Sequence, residues 1–170
     1  MSRNLHKSPL MAFTILVFII YAIYNFVVSP DSLYEADSQK AVATLERVVD
    51  GDTVYLNIAS QSVKVRLLYI DTPESTNKVE PYGKEASDYT DQLLSQAGLI
   101  QVQYNPEGDR KDNYGRALLW VFVDGELLQT KIARAGYCEK FYDYGYDYLY
   151  EDEIVAAHQE AIAQKKGIYE

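Results

Sequence analysis

The sequence predicts an α+β fold: a five-stranded barrel with three helices, preceded by an N-terminal transmembrane helix. Three observations predict it. Short alternating apolar runs separated by tight-turn dipeptides fill residues 41–70, and two more follow after residue 98. Segments with apolar residues at a helical period occupy 82–96, 127–135 and 150–165, each followed by a glycine. An uncharged apolar run, Leu10–Val28, stands ahead of them all.

That run reads LMAFTILVFIIYAIYNFVV. As a helix it would span roughly 28 Å at ~1.5 Å per residue, close to the ~30 Å of a hydrocarbon core. Arg3 and Lys7 precede it, and Asp31, Glu35 and Asp37 follow it. This asymmetry predicts a cell-membrane anchor over residues 10–28, with residues 1–9 cytoplasmic and a single-pass topology that leaves the C-terminal domain extracellular. The alternative is a cleaved signal peptide and a secreted domain. Residues 29–40 read as a polar spacer, and residues 41–170 as one domain, long enough to enclose a core.

Within the domain, Ala41–Val49 is rich in Val, Leu and Thr and reads as a strand, closed by the turn signal Asp50-Gly51. Thr53–Ile58 alternates and forms the next strand. After a turn at 59–62, Val63–Ile70 is the third, completing a meander. Pro73–Pro81 is an irregular loop. Tyr82–Gln96 is a helix with Ala86, Tyr89, Leu93 and Leu94 on one face, ended by Gly98. Leu99–Tyr104 and Arg116–Val123 are strands flanking a turn-rich loop, and Asp124-Gly125 closes the latter. Leu127–Ala135 and Tyr150–Lys165 are helices. Five strands that close on themselves leave no exposed edge, and a helix can plug the open end, so the order predicts an OB-fold barrel.

The chain has 170 residues, 16 basic and 25 acidic, for a net charge of −9. Residues 1–30 hold two of the basic residues and no acid, which leaves 14 basic against 25 acidic and −11 for the rest. A protein that coats nucleic acid needs a net basic surface, so that class is excluded, although a local basic pocket is not. The single cysteine, Cys138, excludes an intramolecular disulfide and a Cys₄ or Cys₂His₂ zinc site. His6 and His158 are too separated in pattern to suggest histidine-based zinc hydrolysis.

Charged residues lie inside or beside apolar strands at four places: Asp50-Gly51-Asp52-Thr53, Arg66, Asp71-Thr72-Pro73-Glu74 and Asp112-Asn113-Tyr114-Gly115-Arg116. Such groups are costly beside a core unless paired or bound to a metal. If the turns converge, two carboxylates suit a hard cation such as Ca²⁺ or Mg²⁺, two arginines suit a phosphate, and Glu74 is a spare carboxylate able to orient or deprotonate water. Metal, arginines and a base would make a phosphodiesterase site. Each motif also has a structural reading: Asp50-Gly51 as a hairpin turn, Pro73 and Glu74 as a helix start, Arg66 as a partner for Asp71.

The strings VVDGDTV at 48–54, VRLLYIDTPE at 65–74, PYGKEAS at 81–87 and DNYGRALLWVFVDG at 112–125, in this order and spacing, resemble the staphylococcal nuclease-type thermonuclease family over residues 43–169. The resemblance implies a five-stranded OB-type barrel with three helices and Ca²⁺-dependent cleavage of DNA and RNA that leaves 3′-phosphate ends. It implies Ca²⁺ held by Asp52 and Asp71 and by the carbonyl of Thr72, with Asp50 as a supporting acid. Arg66 and Arg116 would hold the scissile phosphate, and Glu74 would act as base or orient the water. Tyr114, Tyr142 and Tyr144 match family tyrosines beside the nucleotide.

The departures from that pattern are basic positions. Asn113 and Glu139 stand where the family commonly has a basic residue, and residues 143–153 hold five acids. The −11 carried by residues 31–170 repels a polyanion, so the expected partners are DNA or RNA bound weakly, with short single strands preferred. Tyr169 takes the place of a tryptophan common near the family's end. The alternative to an enzyme is a non-catalytic, membrane-tethered module that binds nucleic acid or protein. No obligate protein partner is evident.

Overall fold

The computed structural model describes residues 15–19, 39–76 and 78–170. The chain divides into two compact units, Met1–Ala36 and Asp37–Glu170.

In the first unit the expectation of a transmembrane helix is corrected. Among the described residues no helix is long and apolar enough to cross a membrane. The described part of Leu10–Val28 is the helical stretch 15–19. The rest of that run and the spacer up to residue 38 lie outside the described residues. The membrane contact through residues 10–28 and the single-pass topology derived from it fall with the helix. Apolar composition measures a preference for a non-aqueous setting; it does not by itself establish a membrane-spanning helix.

In the second unit the strands are β1 (Ala41–Asp50), β2 (Thr53–Ile58), β3 (Gln61–Leu67), β4 (Ile70–Asp71), β5 (Ile100–Gln103), β6 (Ala117–Val123), β7 (Glu126–Leu127) and β8 (Lys140–Phe141). The helices are α1 (Gly83–Gln96), α2 (Leu128–Arg134) and α3 (Glu151–Ala163), followed by a 3₁₀ turn at Gly167–Tyr169. β1 pairs antiparallel with both β2 and β5, β2 with β3, and β5 with β6. A parallel pairing of β3 with β6, Arg66 opposite Leu118, closes the five strands into a barrel. This is the OB-type topology that the element order predicts.

The barrel is filled by alternate residues of each strand. Val54, Leu56 and Ile58 of β2, Val65 and Leu67 of β3, and Leu119, Val121 and Val123 of β6 are all buried. β6 is buried on both faces, because Trp120 and Phe122 are covered by Tyr150, whose ring meets each edge-on at 5.3 and 5.5 Å. On α2, buried Gln129 extends the hydrogen bonding of β6: its Nε2 donates to the Leu119 carbonyl (2.9 Å) and its Oε1 accepts from the Val121 N–H (3.2 Å).

One strand differs from the sequence expectation, and the site depends on the difference. The alternation of Val63–Ile70 predicts an unbroken strand. β3 instead ends at Leu67, and Tyr69 adopts φ +77°, which turns the chain out of the barrel wall. Burial of the Tyr69 ring compensates that strain: it stacks on Phe141 at 5.1 Å, and its hydroxyl donates to Glu151 Oε1 at 2.9 Å. Ile70 and Asp71 then pair with Phe141 and Lys140 in a separate two-stranded ladder.

Candidate active site

The β1–β2 turn brings the first acids. Gly51 packs against the loop after β4 so closely that a Cβ there would lie 2.6 Å from Thr72 Oγ1. Thr90 of α1 donates its hydroxyl proton to the Gly51 carbonyl at 2.7 Å, pinning the turn from the other side. Asp52 Oδ2 accepts the Thr72 N–H at 2.9 Å, and its Oδ1 accepts the Thr53 hydroxyl at 3.0 Å. Asp50 Oδ1 accepts the Asp52 N–H at 3.3 Å. Burial pushes the Asp50 carboxyl above its ordinary pKa, although Arg66 pulls it the other way.

Arg66, on β3 and in register with Thr53 of β2, is the centre of this region. It is 7% exposed, forms an ion pair with Asp52, and donates from Nη2 to Asp71 Oδ1 at 2.5 Å. A buried guanidinium demands such partners. Two acids from turns distant in sequence thus share one cation. The other oxygen of Asp71 is taken by Lys140, whose Nζ lies 2.9 Å from Oδ2.

Arg116 arrives from the loop before β6. Its Nε donates to Asp112 Oδ2 at 2.5 Å and its Nη1 to Thr53 Oγ1 at 3.2 Å. Asp112 Oδ1 accepts the N–H groups of Tyr114 and Arg116, each at 2.9 Å, so one carboxylate shapes the loop that carries both. Burial pushes the Asp112 carboxyl up, but its bonds from Arg116 and Tyr114 together outweigh that and hold it below the ordinary value. A continuous polar chain results: Asp112, Arg116, Thr53, Asp52, Arg66, Asp71, Lys140.

Glu74 follows Pro73 and is exposed. Its backbone is fixed: its N–H donates to Glu80 Oε2 at 3.1 Å and its carbonyl accepts the Glu80 N–H at 2.8 Å. Gly83 sits against this carbonyl, where a Cβ would come within 2.1 Å, so a side chain there would displace the Glu74 loop. Desolvation first, then the negative charges of Asp50 and Asp71, raise the Glu74 pKa above its usual value.

The two arginines also line a cleft of about 310 Å³ together with Tyr114, Tyr142 and Tyr144. Tyr142 and Tyr144 stack nearly parallel, 6.4 Å between centroids. The Arg66 guanidinium lies 5.4 Å from the Tyr142 ring and that of Arg116 5.5 Å from the Tyr114 ring. Tyr114 and Tyr144 are largely exposed. Tyr148 is instead buried against Tyr69 and Trp120, and Tyr150 donates its hydroxyl to Gln103 Oε1 at 2.8 Å. The cleft therefore brings Arg66, Arg116 and the three tyrosines onto one surface. Asp50, Asp52, Asp71, Thr72 and Glu74 do not line it; Asp52 and Asp71 are tied to it through Arg66.

The donor chemistry there is all oxygen: the Asp52 and Asp71 carboxylates, the Thr72 main chain, and a buried Thr72 hydroxyl with no hydrogen-bond partner among the described residues. Such a set fits a hard divalent cation such as Ca²⁺ and not a thiolate- or imidazole-seeking metal. Among the described residues no three of His, Cys, Asp and Glu converge as a metal cage, so main-chain and water oxygens would complete the shell.

Three contributors escape a reading of sequence. Lys140 comes into contact through β8, a two-residue ladder too short to leave a pattern. Asp112 stands in one of the charged strings, but its part in ordering that loop leaves no mark there. Asn105 ties the walls of the cleft together: its Oδ1 accepts Trp120 Nε1–H (3.2 Å) and the Leu149 N–H (3.1 Å), and its Nδ2 donates to the carbonyls of Glu107 and Asp147.

Comparison with known proteins agrees with this geometry. Residues 64–170 match the family described as Staphylococcal nuclease homologue. The SPbeta prophage-derived endonuclease YokF of Bacillus subtilis (strain 168) is 37% identical over 129 residues, covering 74% of this chain and 43% of that protein. Endonuclease YncB of the same strain is 36% identical over 129 residues, 74% and 60%. The chain thus spans about half the length of these two relatives. The thermonuclease of Staphylococcus hyicus is 35% identical over 127 residues, covering 72% of each chain. The barrel topology, the family match and a relative of this coverage together establish that the chain belongs to the staphylococcal nuclease family.

Proposed function

We propose that this protein is a Ca²⁺-dependent nuclease that hydrolyses DNA and RNA phosphodiester bonds and leaves 3′-phosphate ends. One observation carries the reading: Arg66 pairs with two carboxylates and also lines a tyrosine-rich cleft, with Arg116 linked to it through Thr53 and Asp52. The names of the relatives, endonuclease and thermonuclease, support it.

In this reading Asp52, Asp71 and the Thr72 carbonyl hold Ca²⁺, with Asp50 behind them. The bound cation supplies positive charge beside the phosphate and a site for water. Arg66 and Arg116 bind the non-bridging oxygens and neutralise the charge that grows on them in the transition state. Glu74 accepts a proton from the attacking water or orients it; the water oxygen bonds to phosphorus in line as the bond to the 5′-oxygen breaks, and the departing oxygen takes a proton from solvent. Tyr114, Tyr142 and Tyr144 stack on or beside the nucleotide without reading its sequence. The acidic segment 143–153 favours short single strands over duplex.

The test follows hydrolysis of single-stranded DNA, duplex DNA and RNA by the full chain at low salt, with Ca²⁺ or with chelator. Glu74→Gln is expected to retain the fold and lose about 10²–10⁴-fold in rate. Near-wild-type cleavage by that variant removes Glu74 from its role. Binding without cleavage, indifferent to Ca²⁺, would favour a non-catalytic module, for which no observation of this structure argues.

A further inference from the structure

β8 has a consequence for the metal site. Lys140 stands directly opposite Asp71 in the β4–β8 ladder, and directly opposed residues in an antiparallel pair project to the same side. The pairing is reinforced on either side by backbone bonds, Glu139 N–H to the Asp71 carbonyl at 2.9 Å and Tyr142 N–H to the Tyr69 carbonyl at 2.7 Å. The ladder therefore holds the Lys140 backbone in place. Its ammonium lies 2.9 Å from Asp71 Oδ2 and 5.3 Å from the centre of the Tyr142 ring.

Both oxygens of Asp71 are thus engaged by cations of the protein, Oδ1 by Arg66 and Oδ2 by Lys140. The two cations differ. Arg66 is buried and held by two acids, whereas the Lys140 side chain is 59% exposed on a flexible stem. A dication that takes Asp71 as a ligand must displace Lys140 or bind against its charge, and Lys140 is the group free to move.

We propose that Lys140 is a built-in competitor for the metal site: it occupies Asp71 Oδ2 and so raises the concentration of Ca²⁺ at which the site fills. This rests on Asp52 and Asp71 being metal ligands. Lys140 is a positioning residue in this role, since it acts through Asp71 and not on substrate. The Tyr142 ring offers the displaced ammonium a neighbouring cation–π surface, so displacement leaves Lys140 at the edge of the substrate cleft.

The test measures Ca²⁺ binding by calorimetry, and Tb³⁺ binding by luminescence, on the full chain without substrate. Lys140→Met is expected to bind Ca²⁺ about five- to tenfold more tightly than wild type, because a unit charge a few ångströms from the ion is lost at a partly exposed position. Lys140→Arg should keep an affinity near wild type. Lys131→Met, which removes the same charge from a lysine paired with Glu126 on α2, should leave the affinity unchanged and controls for net charge. Melting temperatures establish that each variant is folded. Equal affinity in Lys140→Met and Lys131→Met overturns the proposal and leaves the metal site standing. Binding that Asp71→Asn fails to weaken, or no binding in any folded variant, overturns the metal site and the role of Lys140 with it. Binding seen only in Lys140→Met supports the proposal in its strongest form.

Discussion

Arg66 and Arg116 carry the same guanidinium to the same cleft by different means. Arg66 sits in a barrel strand, almost wholly buried, between acids from two other elements. Arg116 sits at the end of a loop, half-buried, and its acid is Asp112 of that same loop. The first arginine is part of what holds the turns together. The second is local, and the barrel would survive its loss. In the proposed reaction they share a task, and only one is also a structural element.

The largest expected effect breaks that difference open. Arg66→Ala leaves Asp52 and Asp71 facing each other without their shared cation, so stability should fall by about 3–5 kcal/mol and cleavage should vanish. Urea denaturation of variant and wild type reads the first quantity and a nuclease assay below the transition reads the second. A variant as stable as wild type would mean that the acids find other partners, Lys140 foremost, and that Arg66 is no more structural than Arg116.

Arg116→Ala sharpens the comparison from the other side. Removing one charged donor aimed at the phosphate should cost about 10²–10³-fold in rate. A partly exposed ion pair within one loop contributes little, so stability should change by less than about 1 kcal/mol. Unfolding midpoint and kcat measured on one preparation decide it. A destabilisation equal to that of Arg66→Ala would show that the link through Thr53 makes the two arginines one unit.

The same contrast explains what was legible in the sequence. The barrel strands could be read because their alternation and their Asp-Gly turns are local, and burial on one face enforces the pattern. The family strings pointed to Asp52, Arg66, Asp71 and Arg116, and the physical costs of charge beside apolar strands pointed to the same places. Lys140 could not be read: its importance comes from a two-residue ladder that exists only because Tyr69 turns the chain at a positive φ, and neither event has a periodic signature. The Leu10–Val28 run misled for the complementary reason. Its composition satisfies a rule about membranes, but among the described residues no helix is long and apolar enough to cross one. Tyr148 and Tyr150 pack against Trp120, whereas Tyr146 of the same tyrosine run lines the cleft, a division that composition alone does not mark.

The smallest expected effect concerns Asp112, the acid that makes Arg116 local. Its folded pKa lies below the ordinary value, so it contributes stability above the unfolded pKa of ~3.9 that is lost as pH falls through the folded value. Asp112→Asn keeps an oxygen for the N–H groups of Tyr114 and Arg116 but cannot accept from Arg116 Nε through its amide nitrogen. At pH 7 the variant should be less stable by about 1 kcal/mol or less, given the exposure of the pair. The gap should hold while both states are ionised, narrow once the pH falls below the unfolded value of ~3.9, and close as it passes through the lower folded value. Arg116, no longer oriented through Nε, should lose about tenfold in rate at neutral pH, within the cost expected of a misplaced group. Thermal unfolding of both proteins from pH 3 to 7 measures the first effect. A gap that does not narrow as pH falls below the unfolded value would assign the role of Asp112 to the shape of its loop and not to its charge, and Arg116 would then owe its position to the backbone alone.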